Sequence, residues 1–130
     1  MQMKVKLEFE GKKIELEVDK VEGIKKFIGL MFNKKGKALL FEFSKPTQQP
    51  IHSFFCPHFL AVWLNEDNKV LEYRKITPNK LSIKPKKMFT KLLEIPLNEK
   101  YSELIKLFLE NKKKDLNTAS SWFLKLKKRR

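Results

Sequence analysis

The side chains best suited to metal or nucleophilic chemistry lie within seven residues of one another. His52 and His58 are the two histidines of the chain, and Cys56 is its single cysteine. Residues an even number of positions apart on a β-strand point to the same face, so on a continuous strand these three side chains face one side, and a Cys-x-His or His-x-His pair two residues apart can ligate one metal ion. Pro57 interrupts such a strand, and no fourth ligand is evident. The simpler interpretation makes Cys56 a small core residue and gives His52 a hydrogen bond at the rim of a sheet.

The same segment indicates a binding site rather than a catalytic one. A cysteine nucleophile needs a neighbouring base and a lowered pKa, whereas an apolar strand raises the pKa of a thiol. The sequence contains no glycine-rich phosphate loop, no serine nucleophile elbow and no metalloprotease helix motif. It therefore favours a non-enzymatic protein whose one candidate cofactor is the metal ion described above. A small-molecule or metal site at the mouth of a barrel would be lined by His52, Phe54, Cys56, His58 and Trp63.

The net charge of the chain is +14, and most of it lies in the C-terminal part. From Asn79 onward there are 15 Lys or Arg against 5 Asp or Glu. Such a field attracts nucleic acid, anionic lipid or an acidic protein surface. Arginine, which recognises phosphate or guanine through paired hydrogen bonds, occurs three times, so contact with RNA or DNA without sequence specificity is the leading hypothesis. The alternative is a lysine-rich surface that serves no partner, as in adaptation to heat.

The residues predicted to hold the polyanion lie at the end of the chain. Trp122 can stack on a base or lie at a lipid interface while neighbouring cations hold phosphate groups. Alternatively, the apolar stripes of this region cover a sheet edge and the last residues form a solvated tail, or the region docks a protein partner. The candidate polyanion-binding residues are Lys112, Lys113, Lys114, Trp122, Lys125, Lys127, Lys128, Arg129 and Arg130.

The elements that must position these groups begin with a predicted β-hairpin. Apolar residues alternate over 4–9 and over 13–18, with Glu10-Gly11-Lys12 between them. Over 24–31 the apolar residues recur at helical spacing, which predicts a short helix lying on the sheet.

Most of the remaining chain up to Pro96 reads as β-structure. The stretch 51–64 is its most apolar part and is predicted to form the centre of the sheet. Residues 44–50 suit an exposed connection, and the lysine-rich segment with Pro78 and Pro85 suits an edge or a loop. The strands expected after the helix are 38–43, 51–64, 69–76 and 92–95.

Past Pro96 the spacing becomes helical. A helix is predicted over 101–109 with Asn98 as its N-cap, and a second apolar stripe runs over 119–126. The predicted fold is α+β, mainly β: a small barrel or strongly curved antiparallel sheet, one short helix after the first hairpin, and a C-terminal helical arm. Its parts are a β-rich body over 1–96 and a basic helical extension over 97–130, which packs on the body or projects from it.

Five short motifs also follow one another in residues 24–96. They are Gly29-Leu30-Met31, Leu39-Leu40-Phe41-Glu42-Phe43, Ile51-His52-Ser53-Phe54-Phe55, Val62-Trp63-Leu64-Asn65 and Leu92-Leu93-Glu94-Ile95. In order and spacing they resemble a widespread bacterial and archaeal family of small β-rich proteins known as domain of unknown function number 192, and the third is similar to its archaeal form. The resemblance implies a small barrel or strongly curved sheet with a helix, and no established activity.

Two positions depart from that family's pattern. The aspartate that precedes the family's Ile-Phe-Leu-Asp strand falls at Leu60 or Ala61, and its Glu-Arg pair falls at Lys25 and Lys26. If those polar groups carry a family function, this chain has lost or altered it.

A cytoplasmic location is the expectation from the sequence. No run approaches the roughly 18–20 uncharged apolar residues that cross a bilayer, and the first thirty residues do not resemble a signal peptide. A single cysteine forms no intramolecular disulfide, which agrees with a reducing compartment.

Overall fold

The computed structural model describes residues 2–21 and 36–110, which contain one six-stranded sheet curled into a half-barrel. The predicted α+β, mainly β fold is confirmed. In spatial order the strands run β1-β2-β3-β6-β4-β5. Their bounds are β1 Gln2–Phe9, β2 Lys12–Val21, β3 Ala38–Thr47, β4 Phe59–Leu64, β5 Val70–Ile76 and β6 Phe89–Pro96.

The first two strands form the predicted hairpin. Phe9 pairs with Lys12, so the loop has two residues, and both have positive φ, 51° at Glu10 and 77° at Gly11. Two consecutive residues of this conformation match the right-handed twist of the flanking strands. The strands alternate as the sequence predicts, since Val5 and Leu7 are buried while their neighbours face solvent or lie half-buried.

The strands β2 and β3 pair in parallel, which differs from the predicted antiparallel sheet. Residues 22–37 join these two strands in the sequence. The short helix predicted over 24–31 lies outside the described residues.

The strand β4 has all six of its residues buried. It lies between β5 and β6 and pairs antiparallel with both. The prediction of a strand is therefore correct for 59–64, but it is wrong for 51–58, which lie in a loop. The prediction that this strand forms the centre of the sheet is also wrong, because β4 lies next to the edge strand β5 and the central strands are β3 and β6. The strand β3 also runs on to Thr47, four residues past its predicted end at Phe43.

One face of the sheet carries an apolar cluster. Trp63 and Phe41 both pair with Leu92, so the three side chains share this face. Each large side chain buried here contributes a few kcal/mol of transfer free energy, or roughly 1.5–3 kcal/mol for an aliphatic or Phe side chain. The buried members are Val21, Phe41, Cys56, Phe59, Ala61, Trp63, Ile76, Ile83, Phe89 and Leu92.

The two outer strands approach each other at one point of the half-barrel. The backbone N–H of Glu8 in β1 donates to the carbonyl of Asn68, in the turn before β5, at 2.8 Å. The side chain of Asn68 donates in return to the carbonyl of Lys6 at 2.9 Å. These bonds join β1 to the β4–β5 turn across 60 and 62 positions of sequence.

The chain divides into two compact units, Met1–Asn98 and Glu99–Arg130. In the second unit a 3₁₀ turn at Glu99–Tyr101 leads into a helix over 102–110, and Tyr101, Ile105 and Phe108 are buried at helical spacing. The helix predicted over 101–109 is confirmed. No helix in the described parts of the chain is long and apolar enough to span a membrane.

Asn98 does not cap that helix as predicted. Its Nδ2 donates to the carbonyl of Gly36 at 2.8 Å, while its Oδ1, the atom that a cap would use, accepts no hydrogen bond within the described ranges.

Candidate nucleic-acid interface

The three residues of the predicted metal site lie in the loop between β3 and β4. His58 is exposed, Cys56 is buried, and the Nδ1 of His52 accepts a hydrogen bond from the backbone N–H of Phe54 at 3.2 Å. The common face that the sequence predicts is absent because these residues form no strand. Across residues 2–21 and 36–110, no three His, Cys, Asp or Glu side chains are grouped to hold a metal ion.

Cys56 is a core residue, as the simpler interpretation held. Its thiol lies 3.4 Å from the carbonyl oxygen of Phe54, to which it donates, and its side chain belongs to the apolar cluster. Burial, and secondly the negative charge of Glu94, raise the pKa of the thiol to about 11. Almost no thiolate forms at neutral pH, so Cys56 is unsuited to nucleophilic chemistry.

The other two residues of the predicted barrel-mouth site lie at different depths. Trp63 is fully buried in β4, and the guanidinium carbon of Arg74 lies 5.2 Å from its ring centroid. Phe54 is half-buried, with its ring centroid 5.9 Å from that of His52.

Ser53 joins this loop to the loop that follows β5. Although polar, it is 0% exposed, and it makes five hydrogen bonds. Its Oγ donates to the carbonyl of Thr77 and accepts from the N–H of Lys80, both at 2.7 Å. Its backbone N–H donates to the carbonyl of Lys80, and its carbonyl accepts from Asn79 and from Cys56. We call residues 51–56 and 77–88 the Ser53 loop pair.

Phe55 has an unusual backbone conformation within this loop pair. The hydrogen bond from the Cys56 N–H to the Ser53 carbonyl closes a tight turn, and Phe55 takes its third position with φ 55°. Positive φ at that position ordinarily calls for Gly or Asn, and a bulky residue there costs on the order of 1–3 kcal/mol. The side chain is nevertheless 66% exposed, so burial does little to offset this cost.

The second loop of the pair carries the densest positive charge in the described parts of the chain. Between Glu72 and Glu94 there are seven Lys or Arg and no Asp or Glu. Leu81 and Met88, in the same loop, are 80% and 57% exposed. The exposed lysines of this loop are Lys80, Lys84, Lys86 and Lys87.

Hydrogen bonds to the backbone hold this cationic loop in place. The Oε1 of Glu72 accepts from the N–H of Lys86 at 2.9 Å, and Arg74, which is ion-paired with Glu72, donates to the carbonyl of Lys84 at 2.9 Å. Partial burial acts to raise the pKa of Glu72, but the bonds from Lys86 and Arg74 and their charges outweigh it and leave that pKa below its usual range. Because Lys84 and Lys86 are bonded through backbone atoms, their ammonium groups remain in solvent.

Only one of the two loops that form this surface could be recognised from the sequence. The run without carboxylates between Glu72 and Glu94 is readable as a cationic segment, but Phe55 sits in an apolar stretch that resembles a strand. The nine candidate residues between Lys112 and Arg130, the predicted polyanion contacts, lie outside the described residues.

Comparison with known proteins shows the fold and no more. No family model matches the chain, and no curated protein matches it. The crystal structure of a protein of unknown function from Novosphingobium aromaticivorans DSM 12444 superposes with a TM-score of 0.64 at 14% identity, over 79% of this chain and 78% of that one. A "putative transcription regulator" from Sinorhizobium meliloti 1021 superposes with a TM-score of 0.60 at 16% identity, over 73% and 78%. The resemblance to domain of unknown function number 192 stays a prediction.

Proposed function

We propose that this protein is a non-enzymatic binding domain of the cytoplasm whose cationic C-terminal half contacts RNA or DNA without sequence specificity. The observation that carries the proposal is the Ser53 loop pair, in which four exposed lysines stand on a loop free of carboxylates. Lysine neutralises phosphate as a point charge and does not read base edges with paired hydrogen bonds, which suits non-specific binding.

The placement of charge in the described residues supports this surface over others. The hairpin β1–β2 also carries exposed lysines, but over residues 2–21 five Lys are balanced by five Asp or Glu. Lys4 and Glu15 are ion-paired there at 3.9 Å. A phosphate backbone is therefore attracted to the loop 77–88, whereas the balanced charges of the hairpin give no net attraction.

The similar structure from Sinorhizobium meliloti is described as a putative transcription regulator, a description that fits nucleic-acid contact. At 16% identity that likeness concerns the fold, so the proposal rests on charge and exposure. The residues from Lys112 to Arg130 are proposed to contact the nucleic acid as well, through their positive charge.

Two charge-matched variants test the proposal. The first replaces Lys80, Lys84, Lys86 and Lys87 with Gln, and the control replaces Lys4, Lys6, Lys12 and Lys13 with Gln, so both lose four charges. If each loop lysine neutralises one phosphate, these four contacts alone lower the affinity for single-stranded RNA about 50-fold between about 50 and about 200 mM salt. The first variant loses this share of the salt dependence, and the control retains it.

A third full-length variant, with the eight cations of residues 112–130 replaced by Gln, measures the share of the C-terminal region. Binding is followed by fluorescence anisotropy with labelled RNA and DNA. Absent binding to both, or an affinity that does not change with salt, would refute the proposal.

A further inference from the structure

We infer that the nucleic acid bound by the Ser53 loop pair is single-stranded and that one of its bases stacks on Phe55. This inference rests on the proposed function and adds the strandedness of the partner and the residue that receives a base. It predicts that replacing an uncharged side chain weakens binding, an effect that charge attraction alone does not predict.

The first argument is the position of Phe55 in its turn. The third residue of the turn over 53–56 has φ 55°, where Asn or Gly fits without strain. Phenylalanine is unfavourable there, and with 66% of its surface exposed it contributes little to the core. A strained, exposed aromatic residue on an anchored loop is typical of a binding site, and the missing burial is supplied when a base covers the ring.

The second argument is that two other ring side chains, one of them polar, lie next to Phe55 in the same loop. His52 and Phe54 precede Phe55 in the same loop, with their ring centroids 5.9 Å apart, and neither is fully buried. Unpaired bases are recognised by stacking on aromatic and histidine rings, whereas duplex bases are already stacked on each other. A loop with three rings in four residues therefore favours a single strand over a duplex.

The third argument is that phosphate contacts are tied to the same turn. Lys80 is bonded through its backbone N–H and carbonyl to Ser53, two residues before Phe55. The backbone segments that carry Lys80 and Phe55 thus belong to one hydrogen-bonded unit. Backbone that is preorganised in this way loses little conformational entropy on binding.

An anionic membrane is the competing partner for a surface of lysines with exposed Phe55 and Leu81. Insertion into hydrocarbon would carry the polar neighbours of Phe55 with it, since His52 precedes it by three residues and the exposed His58 follows it by three. The cost of removing imidazole rings from water opposes insertion into a membrane. It does not oppose contact with nucleic acid in the same way, because histidine rings stack on bases. The loop composition therefore favours nucleic acid.

The decisive variant is Phe55→Asn, because Asn tolerates positive φ. It should keep or raise the melting temperature while the affinity for an oligothymidylate of about 15 nucleotides falls about 10-fold, within the range for loss of one stacked base. The salt dependence of that affinity should stay as in the wild type, since no charge changes. Phe55→Tyr retains the ring and should bind like the wild type, and Phe55→Leu, which is apolar but has no ring, should bind like Phe55→Asn.

Photocrosslinking of the wild-type protein tests the inference without depending on the folding of any variant. A bromodeoxyuridine-containing single strand, irradiated in complex with the full chain, should form its adduct within residues 51–56, mapped by mass spectrometry. Adducts confined to other segments would overturn the inference.

The outcomes separate this inference from the proposed function. If the loop-lysine variant loses binding while Phe55→Asn binds normally, the stacking role is refuted and the polyanion function stands. Equal affinity for duplex and single strand refutes the preference for single strands alone. If neither nucleic acid binds and phosphatidylserine vesicles do, both are refuted.

Discussion

Replacing Ser53 with Ala tests whether one buried hydroxyl holds the two loops together. The substitution removes the bond to the Thr77 carbonyl and the bond from the Lys80 N–H, both 2.7 Å long. Both bonds are partly buried and their partners Thr77 and Lys80 are exposed residues, so we use the net value of about 1 kcal/mol per bond. We expect Ser53→Ala to lower the free energy of unfolding by about 2 kcal/mol, which is roughly 6–10 °C in melting temperature for a chain of this size.

Urea denaturation measures the stability change, and amide hydrogen exchange locates it. Exchange at the Lys80 N–H should accelerate, whereas the Ile83 N–H, which donates to the Ile51 carbonyl at 2.8 Å, should stay protected as an internal control. The exposed Ser82 provides the matched variant, and Ser82→Ala should change the stability by less than about 0.5 kcal/mol. A loss equal to that of Ser82→Ala, with unchanged exchange at Lys80, would refute the role of the hydroxyl.

Two further predictions concern ionisation. The pKa of Glu72 is lowered in the folded state, so its stabilising effect is complete above the ordinary value of 4.5 and is lost as the pH falls through the lower folded value. Glu72→Gln should therefore lower the free energy of unfolding by about 1–2 kcal/mol at neutral pH and by progressively less in acid. If urea titrations show a loss of stability that does not change with pH, this prediction is wrong. The pKa of Cys56 rises from 9.0 to about 11 in the folded protein. Its thiol should therefore react with iodoacetamide at least about 100-fold more slowly in the native protein than in urea. Comparable rates would show that the thiol is not buried and that its pKa is not raised.

Local periodicity predicted the elements that depend on local physics. The hairpin follows from alternation and a glycine in its turn, and the helix over 102–110 follows from an apolar stripe that is buried in the fold. The β4 strand was predicted because six consecutive apolar residues in a small domain are typical of a strand buried on both faces.

The loop over 51–58 was misread because its apolar residues imitate a strand. Its backbone groups bond to partners more than 20 residues away, such as Lys80 and Ile83, which no local pattern reveals. The same reason explains Asn98, which was predicted to cap a helix and instead donates to Gly36, 62 positions earlier. The exposure of Phe55 follows from this turn, so the candidate site required the structure.

The meeting of β1 with the turn before β5 affects both folding and solubility. Strand edges are templates on which other chains can pair, and here the outermost strands are engaged with one another at Glu8 and Asn68. That engagement is a contact between distant parts of the chain, so it can form only after the intervening strands are ordered. We expect the formation of this contact to be the slowest step of folding. We also expect partially folded chains that lack the contact to be the species that aggregates.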